Sequence, residues 1–394
     1  MATASSSTAT MTMAEILQIT IPLSLTSPIS TLSKPKRKLA SEINPSQEEI
    51  GIWSGKSIKW VLLHEFDIEN YRICLAVCSQ ALLWKTLGES SSLSSWRIRE
   101  PIQVGVWCLA LATLITVSLI YGLKCIFYVG AVKEEYFHRV RVNYFFAPMI
   151  SCMLLTLAVP PVIAKTVSPL LCCLFVTPVI LLEVRLYGKW FTGGKRVLAK
   201  NANPSQYLSV VGNFVGAMLA ARVGWKEPAN FMFAVGFAHY AVLFVTLYQR
   251  LPTNLGLPTK MNPTFFLFLL GPSTASLAWE AISGSFGIGS KMPYFLSLFL
   301  FAAMVVRINF ISGSEFSLAW WAYVFPVTAV AIATMKYSDA VKSPLFAIIA
   351  FIFFFFAIGT LALLVVTSLV YLVLQQRRNR RNHCNPCKKR KIRL

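Results

Sequence analysis

Ten stretches of mostly apolar side chains, each about the length of a membrane-spanning helix, run through this chain of 394 residues. A helix needs about 20 consecutive apolar residues to cross the hydrocarbon core of a bilayer. The stretches are residues 66–87, 101–129, 143–166, 168–187, 205–223, 228–249, 263–284, 291–311, 319–338 and 344–374. The pattern therefore predicts an all-α polytopic membrane protein with ten transmembrane helices.

Composition and charge agree with a membrane location. Hydrophobic residues make up 56% of the chain and charged residues only 13%, about half the charged fraction of a typical soluble domain. Lys and Arg number 37 against 16 Asp and Glu, which gives a formal net charge of +21. In a soluble domain such an excess would indicate nucleic-acid binding. Here most basic residues lie between the apolar stretches, so the charge indicates membrane topology and no nucleic-acid partner.

The basic residues also predict the orientation of the chain in the lipid membrane. Loops after the even-numbered stretches are strongly basic, whereas loops after the odd-numbered stretches are short and carry fewer positive charges. By the positive-inside rule, both termini are expected to be cytosolic. Residues 1–65, rich in Ser and Thr, are predicted to be a disordered cytosolic tail. Residues 66–374 then form the ten-helix transmembrane domain, and residues 375–394 form a basic cytosolic tail.

Helix-weakening residues recur along the odd-numbered stretches. Three of these stretches contain a proline, Pro148, Pro272 or Pro326, and the fifth contains Gly212 and Gly216. A proline removes a helical hydrogen bond, which in lipid is tolerated where the backbone is buried in protein or faces a water-filled cavity. The spacing predicts a helical hairpin used five times, in a quasi-fivefold arrangement with five kinked inner helices around a central pore. The general frequency of proline in membrane helices would explain one or two of these positions, but not the spacing.

The predicted pathway is suited to anions and offers little for catalysis. No nucleotide-binding, metalloprotease or regulatory calcium motif can be placed, so we predict no enzyme activity, no metal and no cofactor. The inner stretches also lack a ladder of acidic residues that could relay protons or bind cations. Lys124 and Arg307, near the ends of even-numbered stretches, are candidates for attracting anions. The positive-inside rule would also explain both residues.

Phe325 is the candidate gate because it directly precedes Pro326 in the ninth stretch. An aromatic ring in a narrow apolar pore blocks ions sterically and offers no ligands to replace their lost hydration. Rotation of the ring would open the path with little other rearrangement. The alternative is that Phe325 packs against neighbouring helices, as most of the 28 phenylalanines must.

Several longer motifs resemble the plant slow-type anion channels of guard cells and roots. That group is related to bacterial tellurite-resistance and dicarboxylate transporters. The resemblance runs from about residue 66 to residue 374. It is carried by LKCIFY at 123–128, VKEEYFH at 132–138, ANPS at 202–205, FVTLYQRLP at 244–252 and AWWAYVFP at 319–326.

The resemblance implies five helical hairpins around a pore, assembled as a homotrimer or as a heterotrimer with related subunits. It also implies passive conduction of chloride or nitrate at the plasma membrane. In this family the gating phenylalanine occupies the aromatic position before the proline of the ninth helix, which here is Phe325. Family channels are commonly switched by protein kinases acting on cytosolic tails. Ser41, which follows a basic cluster, is therefore a candidate phosphorylation site.

Arg72 stands where the family tends to use glycine. Its side chain could occlude the pore or repel, attract an anion at the pore mouth, or snorkel to the membrane interface. The leading prediction is a passive chloride or nitrate channel gated by Phe325. One alternative is a proton-coupled dicarboxylate carrier, for example for malate, with the same fold. The other is a non-conducting modulatory subunit of a heteromeric anion channel.

Overall fold

The regular secondary structure in the described part of the chain is entirely helical. The computed structural model describes residues 63–92, 100–164, 166–191, 202–249, 266–306 and 316–384. Its α-helices are α1 (Tyr71–Glu89), α2 (Glu100–Phe127), α3 (Val129–Phe137), α4 (Ala147–Leu157), α5 (Pro169–Phe191), α6 (Tyr207–Val223), α7 (Lys226–Tyr248), α8 (Leu267–Ser283), α9 (Ile288–Val306), α10 (Val324–Val341) and α11 (Pro344–Cys384).

Burial divides ten of these helices into two sets of five. Helices α1, α4, α6, α8 and α10, here called the inner helices, bury most of their side chains. Helices α2, α5, α7, α9 and α11, here called the outer helices, expose large apolar side chains such as Leu119, Leu181 and Ile352. Exposed apolar surface of this extent indicates contact with lipid or with another subunit.

The helix contacts follow a repeating pattern. Each inner helix packs against the outer helix that follows it: α1 with α2, α4 with α5, α6 with α7, α8 with α9 and α10 with α11. The inner helices also contact one another in cyclic order, α1 with α4, α4 with α6, α6 with α8, α8 with α10, and α10 with α1. Every inner helix therefore has two inner neighbours.

Six helices in the described residues are long and apolar enough to cross a membrane. They are the five outer helices and the segment Leu318–Val341, which contains α10. A seventh candidate joins Val129–Phe137 to Arg141–Leu157, although the chain bends by 109° between them. The prediction of an all-α polytopic membrane protein is confirmed. The ten-helix, quasi-fivefold pore stays a prediction, because α1, α4, α6 and α8 do not qualify as separate spans by length and apolarity.

Two of the predicted kink prolines lie where a helix begins. Pro148 is the second residue of α4 and Pro326 is the third residue of α10. Each helix follows a six-residue 3-10 helix, Arg141–Phe146 before α4 and Leu318–Tyr323 before α10. A proline in the first turn costs little because its missing N–H would have no helical partner there. At Pro148 and Pro326 the chain therefore changes from a 3-10 helix to an α-helix. Of the three prolines, only Pro272 lies beyond the first turn of its α-helix.

Gly212 and Gly216 lie in α6, which runs through both without a break. A Cβ atom added at Gly212 would lie 3.2 Å from Cγ1 of Val179 on α5, and one at Gly216 would lie 2.7 Å from Cε of Met232 on α7. Missing side chains let membrane helices approach closely. These glycines therefore permit α5 and α7 to pack closely against α6, which is a different role from the predicted kink.

The structure also extends two helical regions beyond their predicted limits. The segment expected to be a basic loop after the second stretch contains α3, and α11 continues to Cys384. Periodicity did not predict α3 because it is short and carries charged residues. Its one buried residue is Glu135.

Candidate functional site

The N-terminal ends of the inner helices meet around a small cavity, here called the N-terminal cavity. Its volume is about 20 Å³, which is room for about one water-sized particle. All five inner helices, or the 3-10 turns that lead into them, contribute to its wall. The lining residues are Arg72, Leu75, Tyr144, Leu208, Leu267, Trp321, Ala322 and Phe325.

Phe325 lies in the wall of this cavity, as the second residue of α10. Its side chain is buried, with 4% of the residue exposed, and it belongs to the main hydrophobic core. The predicted gate residue thus lies in the wall of a small cavity to which all five inner helices, or the 3-10 turns before them, contribute. Its movement, and so its role as a gate, stays a prediction.

Arg72, the second residue of α1, lines the same cavity. Only 6% of the residue is exposed. Its Nη2 donates to the hydroxyl of Tyr144 and lies 3.0 Å from Oε2 of Glu69. The guanidinium also lies over the Tyr144 ring, with Cζ 4.2 Å from the ring centroid. Its Nε is buried and has no hydrogen-bond partner. This burial does not fit a side chain that snorkels to the interface.

Lys124 occupies a different site. Its side chain is 1% exposed and forms an ion pair with Glu135 on α3, whose side chain is 2% exposed. The ammonium also donates to the carbonyl of Phe66 at 2.9 Å. Because a carboxylate already faces this ammonium inside the protein, the geometry favours a structural role over the predicted attraction of anions. The other two predicted positions, Arg307 and Ser41, lie outside the described residues.

A second cavity, here called the C-terminal cavity, lies among the C-terminal turns of the same five helices. Its volume is about 80 Å³. Lys85 donates to the carbonyl of Leu157 at the end of α4, at 2.8 Å, and Lys336 lies 3.4 Å from Glu280. Three cations and two carboxylates line it, an excess of one positive charge: Lys85, Arg222, Lys336, Glu89 and Glu280. This group has no local sequence signature because its members come from four separate helices.

Polar contacts between the two cavities join inner and outer helices. The amide nitrogen of Gln80 on α1 donates to the hydroxyl of Thr328 on α10 at 2.9 Å, and to the carbonyl of Ala357 on α11 at 3.2 Å. All three partners are buried, so the bonds are shielded from competing water. They fix the contact between the first and last inner helices.

A polar cluster around the buried Glu183 joins α5, α6 and α7, and none of its residues lines either cavity. Oε1 of Glu183 accepts a hydrogen bond from Asn213 at 2.6 Å and lies 2.9 Å from Nδ1 of His239. The ring of Tyr187 stacks on His239 with centroids 3.6 Å apart. These contacts join the fourth and sixth predicted spans to an inner helix, so the cluster has a packing role.

Three features define the class of this protein: buried inner helices, an apolar outer surface and two cavities lined by basic side chains. The chain is an all-helical, multi-pass membrane protein of the channel and transporter type. The sequence model of a family described as a voltage-dependent anion channel matches residues 65–369. The chain therefore belongs to the slow-type (S-type) anion channel family, as its motifs predicted, and it is not an enzyme.

Relatives from Arabidopsis thaliana agree with this assignment. The chain is 49% identical over 303 residues to "Guard cell S-type anion channel SLAC1", across 76% of this chain and 54% of that protein. It is 48% identical over 303 residues to "S-type anion channel SLAH3", across 77% and 47%. It is 42% identical over 324 residues to "S-type anion channel SLAH1", across 79% and 84%. The chain spans about half the length of SLAC1 and SLAH3.

Proposed function

We propose that this chain forms a passive channel for small inorganic anions, chloride and nitrate, with Phe325 as its gate. In this proposal ten helices form five hairpins around a central pore that follows the axis of the inner helices. The observation that carries it is the N-terminal cavity, because one segment from each inner helix and the Phe325 ring line the same constriction. The cyclic order of the inner-helix contacts supports a central pore.

The charges near the proposed pore suit anions. Arg72 lines one cavity, and the other carries three cations against two carboxylates. A positively charged mouth raises the local concentration of anions and lowers that of cations. In the closed state the buried Phe325 ring would block the constriction and give an ion no ligands to replace water. Opening would need the ring to turn away from the axis.

Location and partners are part of the same proposal. The channel would lie in the plasma membrane with both termini in the cytosol, as the distribution of basic residues predicts. It would assemble as a homotrimer or as a heterotrimer with related subunits, through part of the apolar surface on the outer helices. A protein kinase acting on the N-terminal tail, at Ser41, would control it.

The experiment is voltage-clamp recording of the Phe325→Ala variant in oocytes. Removing the ring should raise the basal anion current severalfold, because the constriction loses its obstacle. Phe355→Ala on α11 is a matched control, because Phe355 is 56% exposed on the outer surface. This variant should leave the current unchanged. Surface labelling measures the amount of each variant in the membrane. An unchanged current from Phe325→Ala at a normal surface level would contradict the gate assignment.

A non-conducting modulatory subunit is the second candidate function. The observation that favours it is Arg72, which is fixed by Glu69 and Tyr144 beside the Phe325 ring. Family resemblance predicts glycine at that position, so this pore has a charged obstacle that its relatives tend to lack. Silence when expressed alone, together with a changed current when expressed with a related subunit, would support this candidate. A current that reverses at the anion equilibrium potential and ignores the pH gradient would exclude a proton-coupled dicarboxylate carrier.

A further inference from the structure

The guanidinium of Arg72 has unused hydrogen-bonding capacity inside the protein. Arginine carries five N–H donors and cannot lose its charge in a protein. The contacts with Tyr144 and Glu69 use Nη2, while the buried Nε has no partner. A buried donor on a charged group that remains unpaired is unfavourable. An acceptor beside this guanidinium would remove that cost.

The N-terminal cavity beside Arg72 has the size for one small acceptor. It holds about 20 Å³, close to the minimum that a single water-sized particle needs. Most of its wall is apolar, including Leu75, Leu208, Leu267 and Phe325. Glu69, the carboxylate that pairs with Arg72, is not part of that wall, and it lies 4.0 Å from Arg141 as well. An anion in the cavity would therefore face a cation in weakly polar surroundings, where a charge-assisted hydrogen bond is strong.

Helix direction adds positive potential at the same place. Arg72, Leu208 and Phe325 are the second residues of α1, α6 and α10, and Leu267 is the first residue of α8. Tyr144 lies just before α4. The N-terminal end of a helix carries a partial positive charge and favours anions. Residues from the first turns of four of these α-helices, or from the 3-10 turns that precede α4 and α10, line the cavity, so the partial positive charge of this end of the bundle adds to that of the buried guanidinium.

We infer that the N-terminal cavity binds one small monovalent anion, of the halide type, on the guanidinium of Arg72 against the closed Phe325 ring. The inference rests on the proposed function in taking Phe325 as the closed gate. Such a bound anion would wait at the constriction, and ring movement would release it along the pore. Organic anions such as gluconate are too large for the cavity.

The test is a binding measurement that needs no current. The full chain is purified in detergent, and its thermal unfolding is followed while sodium gluconate is replaced by sodium chloride at constant ionic strength. A ligand that binds only the folded protein raises its stability in a saturable manner. Wild type should show this increase, and Arg72→Gln should raise the half-saturating chloride concentration about tenfold or more, which is the weight of one charge-assisted hydrogen bond.

Two further variants separate binding from folding. Gly236→Ala overpacks the contact of α7 with Asn213 and Phe214 on α6, outside the cavity wall, so it should retain the chloride effect even if its unfolding temperature falls. Arg222→Gln removes an exposed cation of the C-terminal cavity and should also retain the effect. Equal stability of wild type in chloride and gluconate would overturn the inference, as would an Arg72→Gln variant with an unchanged chloride response.

The outcomes of this test and of the current recordings are distinguishable. If chloride stabilises the chain through Arg72 but the chain conducts no current, the anion site is supported and the channel proposal is refuted. If the chain conducts anions but chloride does not change its stability, the channel proposal is supported and the anion site is refuted.

Discussion

Replacing Glu135 with alanine should destabilise the protein strongly, because the buried Lys124 ammonium would keep its charge with only the partly exposed Asp67 carboxylate, 3.7 Å away, as an ion-pair partner. The two side chains are 2% and 1% exposed. Glu135 also accepts hydrogen bonds from the hydroxyl of Tyr121 at 2.9 Å and from the N–H of Ile68 at 3.3 Å. Breaking a buried ion pair from one side costs about 3–5 kcal/mol of the free energy of unfolding. We expect Glu135→Ala to lie at the lower end of that range, because Asp67 remains 3.7 Å from the ammonium.

A matched set of variants tests the cause of this loss. Replacing both partners by apolar residues, as in Lys124→Met with Glu135→Leu, removes both charges and is expected to be far less destabilising than Glu135→Ala. Glu134→Ala, at the exposed neighbouring position, should stay within about 0.5 kcal/mol of wild type. Thermal unfolding of each purified variant in the same detergent gives the comparison.

Two results would refute the argument. One is Glu135→Ala unfolding at the wild-type temperature, which would mean that the pair contributes nothing. The other is a double variant as unstable as Glu135→Ala, which would assign the loss to packing and not to an unpaired charge. The double variant also tests Lys124 as an attractor of anions, since a folded double variant with an undiminished anion current would exclude that role.

Packing and hydrogen bonding give two further predictions. A Cβ at Gly271 would lie 2.5 Å from ring atoms of Tyr240, so Gly271→Ala should cost about 1–3 kcal/mol through overpacking. Gly105→Ala, with no neighbour within 4 Å, is the control in the same thermal unfolding assay and should not be destabilising. A double-mutant cycle with Gln80→Leu and Thr328→Val should give a coupling free energy of about 0.5–1.5 kcal/mol. Additive losses would show that the bond between α1 and α10 contributes nothing.

The helices could be predicted from the sequence because an apolar stretch is a local property. The fifth stretch, 205–223, corresponds to α6 at Tyr207–Val223, and the tenth, from residue 344, begins where α11 begins at Pro344. The motif resemblance also predicted the family and singled out Phe325, which lines the N-terminal cavity in the structure. The contact between Arg72 and Tyr144 beside the same cavity could not be predicted, because the two residues are 72 positions apart in the sequence.

What the sequence did not predict depends on polar residues in short or irregular segments. The segment around Glu135 is charged and only nine residues long as a helix, so periodicity indicated a loop and Lys124 had no visible partner. The 3-10 turns before α4 and α10 were likewise interpreted as parts of longer spans. As a result Pro148 and Pro326 were expected to bend a helix, whereas in the structure they begin one.

The shortness of the inner helices has a consequence for how the protein is made. α4 has 11 residues, about 16 Å of α-helix at 1.5 Å per residue. Over the residues that the structure describes, α1, α6 and α8 do not qualify as independent spans either. The insertion machinery admits segments by their apolarity, so the outer helices can enter the bilayer by themselves. In the proposed ten-helix arrangement, each short inner helix would then have to be carried in by its hairpin partner. The helices would then insert in hairpin pairs. A defect in one outer helix would prevent the insertion of that helix and of its inner partner.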